Sequence, residues 1–304
     1  MSGTGHGHGH SHVHAGGRHR WRLAVVFALV AGFFVVEMAA GLLSGSLALI
    51  SDAGHMAADV VALGAALVTT KIATRPDLTG RRTYGSYRAE VFASGLTVLI
   101  MLGVSAYVVI EAIARIGSDV TLQPRSMLLV GFLGLLVNAA SMVILRQGAQ
   151  ESLNVKGAYY EVVADAAGSI GVIAAGVLVS ATGKSFWDTA VAVAIGLFIA
   201  IRAIGLGRQV VHVLGQHVPE NLDLDQVVDD LAGVGGVQDV HDLHIWTLTS
   251  GMNVATAHLV LRTGAEPQDV LTTAQTLLHD QHHIEHATLQ VETKRTRQCY
   301  DVQW

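Results

Sequence analysis

From residue 22 the chain reads as six long apolar runs joined by short polar connections, near 22–43, 47–71, 88–115, 125–146, 157–181 and 186–207. About 20 predominantly apolar residues in a helix cross a bilayer, so each run is long enough to span. Residues 23–40 and 126–145 are nearly charge-free, and the other runs carry a few charges. Beyond about residue 212 the pattern changes character. DVHDLHIWTL and NVATAHLVL alternate apolar and polar positions with period two, the signature of half-buried strands. This predicts a helix over 222–232, strands over 237–249 and 253–262, a helix over 267–281 and a strand over 287–293. An αββαβ order in so short a segment predicts a small α+β domain. Its core is small, and dimerisation would help to stabilise it. The expected fold is therefore an all-α six-helix transmembrane bundle (21–208) followed by a small α+β domain (209–294).

The ends are different. Residues 1–20 lack any apolar periodicity and include GHGHGHSHVHAGGRHR, with six His that alternate rather than run together as in an expression tag. They read as a disordered tail that collects metal weakly. Residues 295–304 form a second tail. The first apolar run is long enough to span, and it is not read as a cleavable signal.

Composition narrows the function classes. At 51% hydrophobic and 14% charged, the chain is too apolar for an ordinary soluble protein. Its basic residues are scattered, without the dense stripe that a nucleic-acid partner requires. Cys299 is the only cysteine, which excludes an intrachain disulfide and a CxxC motif. Arg18, Arg20 and Arg22 lie at the start of the first run, and Lys71, Arg75, Arg81, Arg82 and Arg88 lie in or beside the second connection. By the positive-inside rule these sides face the cytoplasm, and six spans then place both termini there. The short loops and compact domain suggest a bacterial plasma membrane.

Two ionisable pairs interrupt the apolar runs: His55 with Asp59, and Glu161 with Asp165. Each pair is spaced i, i+4, so on a helix both side chains share a face, one turn apart. A charge at mid-bilayer costs roughly 2.5–3.5 kcal/mol on insertion scales, so four such groups imply convergence on something positive. One imidazole and three carboxylates form a plausible tetrahedral shell for a divalent metal such as zinc. Asp52 is expected nearer the membrane edge, where it caps the helix or shapes the entry path. Glu37, Glu90, Glu111 and Asn138 are expected in interhelical hydrogen bonds and salt bridges. Gly32, Gly41, Gly64, Gly168, Gly171 and Gly176 are small enough to let helices approach closely.

With these residues in view, the chain resembles the cation diffusion facilitators, proton-coupled metal transporters of the zinc-exporter type. SGSLALISDAGHMAAD is similar to the family's second-helix motif, with His55 and Asp59 on its metal ligands. RTYGSYRAEVFASG resembles the opening of the third helix, LNVKGAYYEVVADAAGSIGVI the fifth-helix motif, and VHDLHIWTLTSG the signature of the cytoplasmic domain. The resemblance implies six transmembrane helices, a ferredoxin-like cytoplasmic domain, a homodimer and export of divalent metal against protons. Glu161 stands where the family usually has His or Asp. Zinc remains the expected cargo because His55 is present, with cadmium, cobalt, iron or manganese as alternatives. The loop RPDLTGRRTYGSYR offers only Asp77 where some members carry metal ligands, so no site is expected in it.

Nine His lie beyond residue 211. The resemblance places His241, His258 and a group near His286 or Glu292 on or near regulatory metal positions, with Glu285 competing with His286. His241 and His244 are an odd number of residues apart, which predicts opposite sheet faces, and His244 is expected to pack with Trp246. No HExxH motif or evident general base accompanies the buried pairs, so an enzyme is not expected. No cofactor is expected beyond transported and regulatory divalent metal. The rival of another class is a membrane metal sensor that does not transport.

Overall fold

The structure, a computed structural model, describes residues 20–73, 81–116, 120–150, 153–249 and 251–295. The His-rich tail, Asp77 and the C-terminal tail with Cys299 lie outside the described residues, apart from Arg20 and residue 295. Six long helices come first: α1 (Arg20–Ser44), α2 (Leu47–Ala73), α3 (Ala89–Ala114), α4 (Pro124–Arg146), α5 (Leu153–Thr182) and α6 (Phe186–Leu214). All six contain spans long and apolar enough to cross a membrane. Side chains such as Leu99, Ile110, Leu129 and Val143 are more than half exposed, as an apolar solvent permits. Then follow α7 (Leu224–Ala232), β1 (Val237–Thr249), β2 (Met252–Leu261), α8 (Pro267–His282) and β3 (Ile284–Glu292). The αββαβ order is the expected one. The sixth helix runs further than its apolar pattern suggested, and β3 begins three residues earlier than 287.

The chain divides into two compact units. One comprises residues 1–64 and 96–204, the other 65–95 and 205–304. In the first, Val26, Val30 and Phe33 of α1 pack with Met56 of α2, Leu145 of α4 and Val162 of α5. A second layer joins Leu47 and Leu49 to Val108 of α3, Met127 of α4, Val172 of α5 and Ala192 of α6. Ala58, Met101, Ile199 and Ala203 connect α2, α3 and α6.

Polar side chains lock these layers. The turn between α1 and α2 is only two residues, and Gly45 adopts φ 69°, which a residue without Cβ does at no steric cost. The first amides of α2 therefore point into protein. Asp188 of α6 satisfies them: it accepts from Leu47 N at 2.7 Å, Ala48 N at 3.2 Å and Ser46 Oγ at 2.6 Å. A carboxylate at a helix N-terminus also complements the helix dipole. Arg115 supplies the counter-charge, 3.5 Å from Asp188, while also pairing with Glu111 at 3.0 Å and donating to Gly45 O at 2.9 Å. Asn138 donates to Ser169 Oγ at 3.4 Å, the interhelical bond expected of it.

The second unit holds a three-stranded sheet, order β1-β2-β3, with β1 and β2 antiparallel and β2 and β3 parallel. Val227 and Leu231 of α7, Val270, Ala274 and Leu278 of α8, and Ile245, Ala255, Leu259 and Ile284 from the strands form its core. Asp223 caps α7, accepting from the amides of Asp225 and Gln226. His282 ties α8 to α7 through Asp230 at 2.9 Å.

Asp188→Ala leaves a buried Arg115 and two helix-end amides short of their anion, and is expected to cost about 3 kcal/mol. A thermal melt of the purified protein in detergent checks this, and Asp188→Asn is expected to fall between the two because it keeps an acceptor.

Candidate metal sites

Helices α2 and α5 present the two intramembrane pairs. Gly168, just beyond Asp165, lets α2 and α5 approach closely. The carboxylate of Asp52 on α2 occupies the space that a Cβ at residue 168 would fill. Asp52 is itself 2% exposed, inside the bundle, and interacts with the fully buried Glu37 of α1. Asp52 lies in the second turn of α2, nearer that helix's N-terminal end than His55 is. The glycine it packs against lies on another helix, which no pattern within α2 reveals. A Cβ at Gly32, expected at a helix contact, would meet no other part of the described structure within 4 Å.

His55 Nε2 lies 3.7 Å from Asp59 Oδ2 and 3.7 Å from Asp165 Oδ1. The ligand atoms of these three residues are within 4.8 Å of one another, and His55 and Asp165 are buried. Metal bonds of 2.0–2.2 Å in a tetrahedron need ligand atoms about 3.5 Å apart. Small side-chain movements would therefore bring the three onto one ion. His55 Nδ1 has no hydrogen-bond partner among the described residues.

The fourth expected ligand, Glu161, is engaged differently. Both its oxygens accept from Arg202 Nη2 of α6, at 2.6 and 2.7 Å. Arg202 Nη1 lies 3.0 Å from His55 Nε2. A guanidinium only donates, so Nε2 is the acceptor and the imidazole proton sits on Nδ1. Phe198, one turn earlier on α6, stands edge-on to the His55 ring at 6.1 Å and under the Arg202 guanidinium at 5.9 Å. Arg202 was not among the candidate site residues expected from the sequence. The signal was present: it is an isolated cation in GLFIAIRAIGLG, which the bilayer tolerates only with a partner.

The second cluster lies on the sheet. His241 and His258 are direct partners across β1 and β2, their rings edge-to-face at 5.2 Å. Glu292, at the end of β3, reaches both: Oε1 is 3.1 Å from His258 Nδ1 and Oε2 is 3.8 Å from His241 Nε2. The three could hold one ion. Neither ring nitrogen of His241 has a hydrogen-bond partner among the described residues, an unusual condition for a buried imidazole.

The parallel register of β3 separates the two candidates that sequence spacing left open. Glu292 sits opposite Val260 and joins the cluster, whereas His286 sits opposite Val254 and stacks edge-on against Tyr84 at 5.7 Å. Glu285 lies near His279, at 4.0 Å. A hydrogen bond with Asp280 raises the pKa of His279 above the usual histidine value. Strict alternation fails between His241 and His244. The register shifts there, and Asp242 adopts φ 54°. Asp242 then contacts His244 at 3.1 Å and His258 at 3.7 Å, so His244 has a polar partner rather than a purely packing role.

Comparison with known proteins identifies the family. Residues 23–214 match the model of the cation efflux transmembrane domain, and residues 219–294 that of the cation efflux protein cytoplasmic domain. The chain is 42% identical over 278 residues to the metal cation efflux system protein CzcD of Cupriavidus metallidurans, covering 91% of this chain and 87% of that one. It is 34% identical over 284 residues to a cadmium, cobalt and zinc/H(+)-K(+) antiporter of Bacillus velezensis, covering 92% and 90%. It is 33% identical over 273 residues to the zinc transporter ZitB of Escherichia coli, covering 89% and 87%. A solved metal-bound C-terminal domain of the CzcD transporter is 40% identical, covering 23% of this chain and 99% of that one, with a TM-score of 0.23. With six spans, an α+β domain and family matches along nearly its whole length, the chain belongs to the cation efflux family, the cation diffusion facilitators.

Proposed function

We propose that this protein exports a divalent metal cation, zinc first, in exchange for protons. The observation that carries the reading is the meeting of His55, Asp59 and Asp165 from two helices at ligand spacing inside the bundle. Glu161 completes a four-ligand set when it turns to the ion. A buried imidazole and carboxylates bind metal only when deprotonated, so metal and protons compete for the same atoms. Facing the cytoplasm, the site takes the ion, and facing out, protons replace it. The relatives named for cadmium, cobalt and zinc support a divalent cargo of this class. Glu161, a harder donor than the usual His, leaves cadmium, cobalt, iron and manganese as alternative cargo.

The domain after α6 serves as a cytoplasmic dimerisation and regulatory module, with His241, His258 and Glu292 binding metal. His286 belongs to its surroundings rather than to the ligand set. Both termini lie on the cytoplasmic side of a bacterial plasma membrane, and the protein works as a homodimer without catalysing a reaction. Occupancy of the regulatory cluster shifts the transport equilibrium by binding one conformation better than another. A metal sensor that does not transport would need only this second cluster.

The test is flux into proteoliposomes carrying a pH dye, with zinc, cadmium, cobalt, iron and manganese compared. Wild type is expected to move zinc with protons in the opposite direction. Asp59→Ala is expected to abolish that flux while the protein still inserts, and normal flux would sink the site. Glu161→His is expected to move selectivity further toward zinc and away from manganese, read as the ratio of initial rates. Combining His241→Ala with His258→Ala is expected to raise the zinc concentration for half-maximal flux while leaving the maximal rate nearly unchanged.

A further inference from the structure

Glu161 and Arg202 lie on different helices, and nothing in the proposed transport cycle so far requires an arginine. Arg202 nevertheless touches two of the four groups assigned to the cargo. One terminal nitrogen is shared between both oxygens of Glu161, at 2.6 and 2.7 Å, and the other reaches His55 Nε2 at 3.0 Å. The atom it meets on His55 is the one that also faces Asp59 and Asp165. A neutral imidazole nitrogen has one lone pair, and it cannot accept from a guanidinium and ligate a metal at once. The same holds for the Glu161 lone pairs that Arg202 occupies.

We propose that Arg202 is a tethered competitor of the cargo: its guanidinium holds the ligand atoms of His55 and Glu161 in the metal-free state, and the metal enters by displacing it. This inference rests on the site reading above. An arginine suits the role because its charge does not leave at any working pH and its planar fork spans a carboxylate and a neighbouring acceptor together. A competing cation also weakens binding enough for the ion to leave, since the guanidinium recovers its partners as the metal departs. Phe198, 5.9 Å from the guanidinium, gives the displaced cation an aromatic face beside the site.

The charge count agrees. With the metal bound, Asp59, Asp165 and Glu161 are deprotonated and carry three negative charges against the two of the ion. Arg202, retained nearby, cancels the remaining one. A fixed arginine beside the ligands thus accompanies the additional carboxylate that Glu161 brings, where a histidine at residue 161 would need no such partner.

Initial zinc flux into proteoliposomes, measured against zinc concentration for wild type, Arg202→Gln, Glu161→Gln and the double variant, tests this. Arg202→Gln is expected to lower the half-saturating zinc concentration by roughly tenfold, the scale of one lost charge-assisted hydrogen-bonded pair. Its maximal rate is expected to fall as well, because protons alone must then drive the ion off. A merely structural defect would lower the rate without that gain in apparent affinity. In the Glu161→Gln background the guanidinium has lost its anchor, and Arg202→Gln is expected to change half-saturation little. An unchanged or raised half-saturating concentration, or an equal shift in both backgrounds, would overturn the proposal, the latter by pointing to a long-range charge effect alone. If Arg202→Gln does not reach the membrane, Arg202→Lys keeps the charge without the fork. It is expected to lower half-saturation several-fold, and no change would count against displacement. Asp59→Asn separates the two levels: flux undiminished in that variant would overturn the site reading itself, and this inference with it.

Discussion

Burying charge in an apolar bundle is the constraint on which the membrane part of this protein is built. An unpaired ionised group there is so costly that each must find an opposite charge, a hydrogen-bond donor or an ion. Two cations answer that demand in the first unit. Arg115 balances Asp188, whose carboxylate also closes the start of α2. Arg202 balances Glu161 and borrows the lone pair of His55. The first arrangement uses up the hydrogen-bonding capacity of its carboxylate and is suited to holding helices together. The second leaves Asp59 and Asp165 facing the same imidazole nitrogen, with no salt bridge to an arginine or lysine among the described residues.

That difference separates structure from work. Asp188 is completely buried and has donors from three backbone or side-chain groups besides its arginine, so its geometry is over-determined. Glu161 and Arg202 are about one third exposed and depend chiefly on each other. A pair of that kind is strong enough to persist and weak enough to exchange. The cluster on the sheet follows the same logic by other means. Two imidazoles paired across neighbouring strands and one carboxylate from the third strand are preorganised by the ladder, which positions side chains more rigidly than loops do.

Much of this could be read in the chain. The six spans, the αββαβ order and the two i, i+4 pairs are local periodicities, written in residues that are neighbours in sequence. Family likeness also followed from contiguous motifs, such as SDAGHMAAD and VHDLHIW. Other features turned on a neighbour remote along the chain. Asp52 is buried because Gly168 of another helix makes room for it. His244 departs from alternation because a register shift and the positive φ of Asp242 intervene.

Sequence by itself determined the class of the protein, its membrane spans and which titratable residues had to be explained, because hydropathy and helical spacing act over a few turns. Only the tertiary structure decided which of those residues meet. It brought Glu292 rather than His286 to His241 and His258, since parallel pairing sets a register that no single strand encodes. It also placed Arg202 of α6 between α2 and α5, 41 residues from Glu161 and 147 from His55. Electrostatic pairing depends on distance in space, and at those separations along the chain only the packed bundle supplies it.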